Sequence, residues 1–310
     1  MNIYKVSKLV VLISTLYVSC VSGSVSASEG TLAIDKNPGE LSAQLLGEII
    51  NPNGIVVMLH GCGQDGLGFA QNSGMLKASK NKNIALLSIE QSKSNNVQAC
   101  FNWFSEQDNT AGKGELASIE AFMTLVEKRY PNRPTYLLGL SAGGAMASAL
   151  LLQRPELFDG AAVVAGVPYP CANNLIQAIS CMKSGSSISA EALAKALKAS
   201  KTPWPPLMVF TGDSDSIVNA ENSHQMVEQY AALIGKANLT LDKSIQHGTN
   251  KKLTETTYLL SNNQPAISLF SYEGLGHGIP IDKLDDEQTQ VPFYIPSEKG
   301  VATIIMDRWF

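Results

Sequence analysis

Short unbroken apolar runs, separated by segments with helical spacing, set the pattern of this chain. Residues 55–59 (Ile-Val-Val-Met-Leu) and 84–89 are apolar with almost no alternation, which is the pattern of strands buried on both faces. Similar short runs stand at 136–138, 161–165 and 207–210. Between them, residues 69–79, 114–130, 142–153 and 220–234 predict helices. In the second of these, Leu116, Ile119, Phe122, Met123 and Val126 fall on one face, and Pro131 and Pro134 stop the pattern. The third closes before Pro155. Residues 45–50 predict an edge strand ahead of a turn at 51–54. Residues 239–245 and 267–272 predict late strands, with 254–260 pairing with the latter across 261–264. Residues 298–309 predict a closing helix that Ser297 could cap. Strands alternating with helices imply a mostly parallel sheet covered on both faces. Two segments, 91–113 and 168–189, show little periodicity and are expected to be loop excursions over the carboxyl ends of the strands, where such sheets bind ligands.

The first 27 residues follow a different pattern. Lys5 and Lys8 precede an apolar run at 9–18, and Val25-Ser26-Ala27 offers small residues for cleavage. That is the layout of a secretory signal peptide rather than of a spanning helix. Cys20 raises a lipoprotein anchor as the rival, to which Tyr17 and Val18 are a poor fit. The expectation is a secreted or periplasmic protein with no stable membrane insertion, its residues 28–310 forming one large α/β domain. Net charge is -4 and the basic residues are scattered, which argues against nucleic acid as a partner. With 4 His in the chain, no dedicated metal site is expected, and no cofactor. Cys62, Cys100, Cys171 and Cys181 follow the leader; an even count in an exported chain favours disulfides, with three pairings open.

The strongest chemical signal is Gly139-Leu140-Ser141-Ala142-Gly143, placed between a predicted strand and a predicted helix. A nucleophilic serine needs a tight, strained turn that turns its hydroxyl into a cleft, and small neighbours let the new helix approach the strand. His60-Gly61-Cys62-Gly63 follows the run at 55–59, where a second oxyanion donor is expected; the candidate donors are the backbone N–H groups of Cys62 and Ala142. His60 itself reads as a loop support. Asp213 and Asp215 follow the strand at 207–210, and Asp215 is preferred as the acid that orients the base, with Asp213 organising the turn. His277, between Gly276 and Gly278, is the candidate base; His247 and His224 are its rivals. Phe101, Trp103, Tyr169 and Phe293 are candidate aromatic walls of a substrate site, with ordinary packing as the bland reading of each.

These motifs resemble those of secreted polyhydroxybutyrate depolymerases and the related feruloyl and acetylxylan esterases, collinearly from about Gly54 to Phe310. The segments that carry the resemblance are His60-Gly61-Cys62-Gly63-Gln64, Cys100-Phe101-Asn102-Trp103-Phe104, residues 139–146 around Ser141, Ala165-Gly166-Val167-Pro168-Tyr169, and Gly276-His277-Gly278. Gly212, Asp215 and Val218 match the family's acid motif, and Cys171 and Cys181 its cysteine-bearing loop. The resemblance implies an α/β-hydrolase fold and a serine carboxylic ester hydrolase acting on 3-hydroxyalkanoate polyester or its oligomers. The alternatives are a feruloyl or acetylxylan esterase, and a catalytically silent relative used for binding or adhesion. Two pairings then suggest themselves. Cys62 with Cys100 would tie the oxyanion turn to the aromatic loop, and Cys171 with Cys181 would staple a short loop. No lipase-like lid and no Ser/Thr-rich linker to a polymer-binding module is apparent, which leaves soluble oligomers and small esters open as substrates. The segment 279–296 is expected to pad the rim of the cleft.

Overall fold

The unbroken apolar runs become the middle of a ten-stranded sheet. The computed structural model describes residues 30–47, 50–197, 200, 202–242, 245–247, 252–283 and 291–310; the expected leader at 1–27 lies outside the described residues. The strands are β1 (Ser42–Gly47), β2 (Ile55–Leu59), β3 (Ala85–Glu90), β4 (Thr135–Leu140), β5 (Gly160–Val164), β6 (Leu207–Gly212), β7 (Leu239–Leu241), β8 (Ile245–His247), β9 (Leu253–Leu260) and β10 (Pro265–Tyr272). Six of them, in the order β3-β2-β4-β5-β6-β10, run parallel. Antiparallel β1 closes one side and antiparallel β9, with β7 and β8 on it, closes the other. A separate parallel pair, β11 (Ile279–Asp282) and β12 (Tyr294–Ser297), lies after the sheet.

Both faces of the parallel strands are buried, so their period of two is invisible in polarity and appears only in which core each side chain enters. In β2, Ile55, Val57 and Leu59 enter one core while Val56 and Met58 enter the other. The first core is covered by α3 (Gly114–Arg129), α4 (Ala142–Gln153) and α7 (Glu221–Ile234), through residues such as Phe122, Met146 and Tyr230. The second is covered by α1 (Gly66–Asn72), α2 (Met75–Lys82) and α8 (Val301–Trp309), through Phe69, Met75 and Ile305. Two further helices, α5 (Leu175–Ser184) and α6 (Ala190–Ala196), lie between β5 and β6. This is an α/β-hydrolase fold, a mostly parallel sheet with helices on both faces.

Where local structure departs from the pattern, a physical reason is visible. The single helix expected at 69–79 splits into α1 and α2 because Gly74 turns left-handed, with φ at 81°. Segment 168–189 is not a bare excursion: it contains α5. Its apolar positions do follow a helical spacing, but Leu175, Ile176 and Ile179 stay exposed and only Ala178 and Cys181 are buried. The strand expected at 239–245 is two short strands, both paired to β9. Ser297 does not cap α8. It ends β12 and donates to the carbonyls of Ile281 and Lys299, so the helix starts later with Gly300 at its cap.

Candidate active site

Because β2, β4, β6 and β10 run parallel in one sheet, the segments that follow them all emerge at the same edge of it. Ser141 stands alone between β4 and α4, at φ 54° and ψ −116°. A non-glycine residue in that region carries strain of about 1–3 kcal/mol and persists only when its surroundings hold it. Here the Ser141 N–H donates to the Val164 carbonyl at 2.9 Å, and the Ser141 carbonyl accepts from the Ala145 N–H at 2.8 Å. The neighbours are small out of necessity. A Cβ on Gly143 would stand 2.2 Å from the Leu59 carbonyl oxygen, and one on Gly139 would stand 2.3 Å from the Gly143 carbonyl oxygen. Gly143→Ala is therefore expected to push α4 off the end of β2. The expected result is destabilisation of about 2 kcal/mol in urea unfolding.

Three distant segments meet at Ser141. The Nε2 atom of His277 is 2.9 Å from the Ser141 Oγ, and Nδ1 is 2.7 Å from Asp215 Oδ2. An ionised carboxylate only accepts, so Nδ1 carries the proton and Nε2 is left as the acceptor for the serine hydroxyl. The other Asp215 oxygen accepts from the N–H groups of Ile217 (2.9 Å) and Val218 (2.8 Å), which fixes the carboxylate plane. Asp213 does something else. It is exposed, and it accepts from the Gly274 N–H at 2.7 Å, fastening the acid turn to the histidine loop. Ser214 N–H adds a bond to the Leu275 carbonyl at 3.1 Å. His247 faces Glu255 on β9 at 2.8 Å, and His224 lies on α7; neither joins this group.

His60 is fully buried. Its Nδ1–H donates to the Gly61 carbonyl at 2.7 Å and its Nε2 accepts from the Gln91 N–H at 3.0 Å, so both ring nitrogens are committed in the neutral form. Burial lowers its pKa further, and the ring braces the turn that follows β2. Within that turn the amides of Gly61, Gly63 and Gln64 are engaged, by Gln64 Oε1, the Gln98 carbonyl and the Gly61 carbonyl. Cys62 sits among them on the cleft wall. Ala142 lines the same cleft from the first turn of α4, where amides have no partner inside the helix.

Disulfides join Cys62 to Cys100 and Cys171 to Cys181. The first ties the turn after β2 to loop 91–113, and the second ties loop 168–174 to α5. A cleft of about 550 Å³ opens beside Ser141 and His277. Trp103 and Phe293 line it, and Phe293 meets the His277 ring edge-on at 6.0 Å. Phe101 and Tyr169 do not line it, which corrects the expectation for both. Phe101 is 0% exposed, in the core against the His60 ring, and Tyr169 packs half-buried against the same core. Phe101 turns inward, while Trp103, itself only 7% exposed, reaches the cleft from the edge of the same core. The sequence reading missed Val97, Phe104, Ile179, Met182 and Ile217 on the cleft wall. The spacing of Leu175, Ile179 and Met182 on α5 was a usable signal for part of that wall.

One buried carboxylate behind the cleft was also missed. Glu115, in the first turn of α3, is 0% exposed and accepts from Gln91 Nε2 (2.5 Å), Asn102 Nδ2 (2.7 Å), the Asn102 N–H (2.8 Å) and Asn95 Nδ2 (3.3 Å). Desolvation is the largest influence on it and pushes its pKa up from 4.5 to about 7, against the opposing hydrogen bonds. A raised carboxyl pKa favours the folded state at low pH, and that contribution is lost as pH rises from 4.5 through about 7. Relative to Glu115→Gln, the wild-type protein should lose up to about 3 kcal/mol of unfolding free energy over that window, read by urea denaturation at successive pH values.

Among the described residues, no helix is long and apolar enough to cross a membrane. The family described as Esterase PHB depolymerase matches residues 45–250. The chain is 30% identical over 273 residues to the poly(3-hydroxyalkanoate) depolymerase C of Paucimonas lemoignei, a match covering 84% of this chain and 64% of that protein. It is 26% identical over 246 residues to the acetylxylan esterase A of Aspergillus ficuum, covering 74% of this chain and 77% of that one. Among solved structures it is similar to the acetyl xylan esterase from Aspergillus awamori, with a TM-score of 0.68 at 21% identity, covering 80% of this chain and 93% of that chain. That structural likeness concerns the fold.

Proposed function

This chain belongs to the Esterase PHB depolymerase family, within the α/β-hydrolase superfamily, and we propose that it hydrolyses carboxylic esters through an acyl-enzyme on Ser141. The observation that carries the reading is the unbroken chain from Ser141 Oγ through the His277 ring to Asp215, with contacts of 2.9 and 2.7 Å. His277 takes the serine proton as the oxygen attacks the ester carbonyl. The backbone N–H groups of Cys62 and Ala142 hold the negative oxygen, and Asp215 stabilises the imidazolium. His277 then protonates the departing alcohol, and water repeats the cycle on the acyl group. No step calls for a metal or an organic cofactor. Export with cleavage before Ser28 belongs to the same proposal, and the two disulfides support it.

Two substrate readings follow, each with its own support. The cleft wall is mainly apolar, and it includes exposed side chains such as Val97 (87% exposed) and, on α5, Leu175 (56%). That lining suits the aliphatic acyl part of a 3-hydroxyalkanoate ester, the class named for the Paucimonas relative. An acetyl or feruloyl ester of plant polysaccharide is supported by the other five relatives, three of which are matched over more than half of their own length. A panel of hydroxybutyrate dimer, suspended polyester, acetylated xylan and a feruloyl sugar ester separates the two. The balance of relatives favours the second reading, so fastest turnover of acetylated xylan or the feruloyl ester is expected. Predominant turnover of the hydroxybutyrate dimer establishes the first reading instead.

A further inference from the structure

Glu115 does not reach the cleft, yet every group it holds belongs to the loop that builds one cleft wall. Its partners are neutral amides from residues 91, 95 and 102. Those amides cannot turn round to suit a different partner. The Gln91 Oε1 already accepts from the Ser92 N–H and from Asn95 Nδ2, both at 2.9 Å, and the Asn102 Oδ1 accepts from Asn96 Nδ2 at 2.8 Å. The network presents only N–H donors to the carboxyl group, and the ionised form, which prevails above about pH 7, meets them on both oxygens.

Two routes lead from this carboxylate to the turn that carries Cys62. One passes through Gln91, whose N–H donates to His60 Nε2 at 3.0 Å, and whose ring partner donates from Nδ1 to the Gly61 carbonyl at 2.7 Å. The other passes through Asn102 to Asn96, whose Oδ1 accepts from the N–H groups of Gln98 (3.0 Å) and Cys100 (3.3 Å). From there the Gln98 carbonyl accepts from the Gly63 N–H at 2.7 Å, and Cys100 is bonded to Cys62. The routes end on Gly61 and Gly63, one on each side of Cys62. Trp103, on the cleft wall, follows directly after Asn102.

We propose that Glu115 is a positioning residue for ester hydrolysis, holding the Cys62 amide at the oxyanion and the Trp103 wall against the substrate through the 91–102 loop. This rests on the acyl-enzyme reading above. The test is Glu115→Gln, which sets an N–H against the fixed N–H donors while keeping the size of the side chain. It is measured on p-nitrophenyl acetate with the protein shown to be folded by circular dichroism. A fall in kcat of about 10- to 100-fold is expected, because a misplaced oxyanion donor acts on the transition state. KM should move less than about threefold and the rate of fluorophosphonate labelling should fall in parallel. Val126→Ala, a core truncation further along α3, is the stability control and should keep kcat near wild type. A folded Glu115→Gln protein with kcat within twofold of wild type overturns the proposal, as does a loss no larger than that of the control. Where Glu115→Gln does not fold, Gln91→Ala decides, since it cuts one route only and lies off the cleft wall. A fall in kcat of at least about threefold is expected and an unchanged kcat overturns it. Loss of labelling in wild-type protein would instead count against the acyl-enzyme reading itself, so the two failures are distinct.

Discussion

Ser141→Ala should leave a folded protein whose ester hydrolysis has fallen by roughly 10⁴- to 10⁶-fold, with fluorophosphonate labelling gone. The size follows from what the side chain does and from what stays behind. The hydroxyl is the attacking atom in the proposed mechanism, so its removal takes away the covalent route. The amides near Cys62 and the apolar cleft remain, and their residual effect sets the floor. Stability should change little. The strain at φ 54° is a backbone property that alanine shares, and the backbone bonds to Val164 and Ala145 persist. The one bond lost, to His277, is worth about 1 kcal/mol. A thermal melt together with labelling checks both halves. Native wild-type protein that is not labelled at Ser141 would support the silent, binding-only reading of this fold.

Asp215→Asn is expected to lower kcat by about 10⁴-fold, whereas Asp213→Asn should cost far less. The reason lies in the unequal duties of the two Asp215 oxygens. One accepts from the N–H groups of Ile217 and Val218, so the carbonyl oxygen of an asparagine would be drawn to that side. Its NH₂ would then face His277 Nδ1, now at 2.7 Å from Asp215 Oδ2. A donor there forces the ring proton onto Nε2, and a protonated Nε2 cannot take a proton from Ser141. The wrong tautomer, rather than loss of fold, produces the defect. Asp213 touches the Gly274 N–H and the Ser214 hydroxyl, not the ring. Its substitution should lower stability modestly, with KM and kcat near wild type. Steady-state kinetics of both variants, with circular dichroism as the folding check, test the assignment. Equal losses in the two would sink it.

The buried parallel strands were legible because a continuous branched apolar run has few other uses at that length. The chain order of serine, acid and histidine segments was legible because each follows such a run. The α4 boundaries were legible to the residue, since Gly139, Gly143 and Pro155 punctuate them. Segments whose apolar residues face outward were not. In α5, Leu175 and Ile179 line the cleft rather than fill the core, so what their helical spacing serves shows only in the folded chain. Phe101 and Trp103 lie two residues apart in one loop and differ only in which way the packed chain turns them.

By itself the sequence determined what short range physics can determine: where the buried parallel strands and most of the helices packed on them lie, where glycine is sterically required, and which nucleophile sits on a strained turn. Tertiary structure decided which groups meet. It set Asp215 rather than Asp213 at the imidazole, and it joined Cys62 to Cys100. It also closed four amide donors on Glu115. Those outcomes depend on distances between residues far apart in the chain, which no local pattern of side chains encodes until the sheet has brought their loops to one edge.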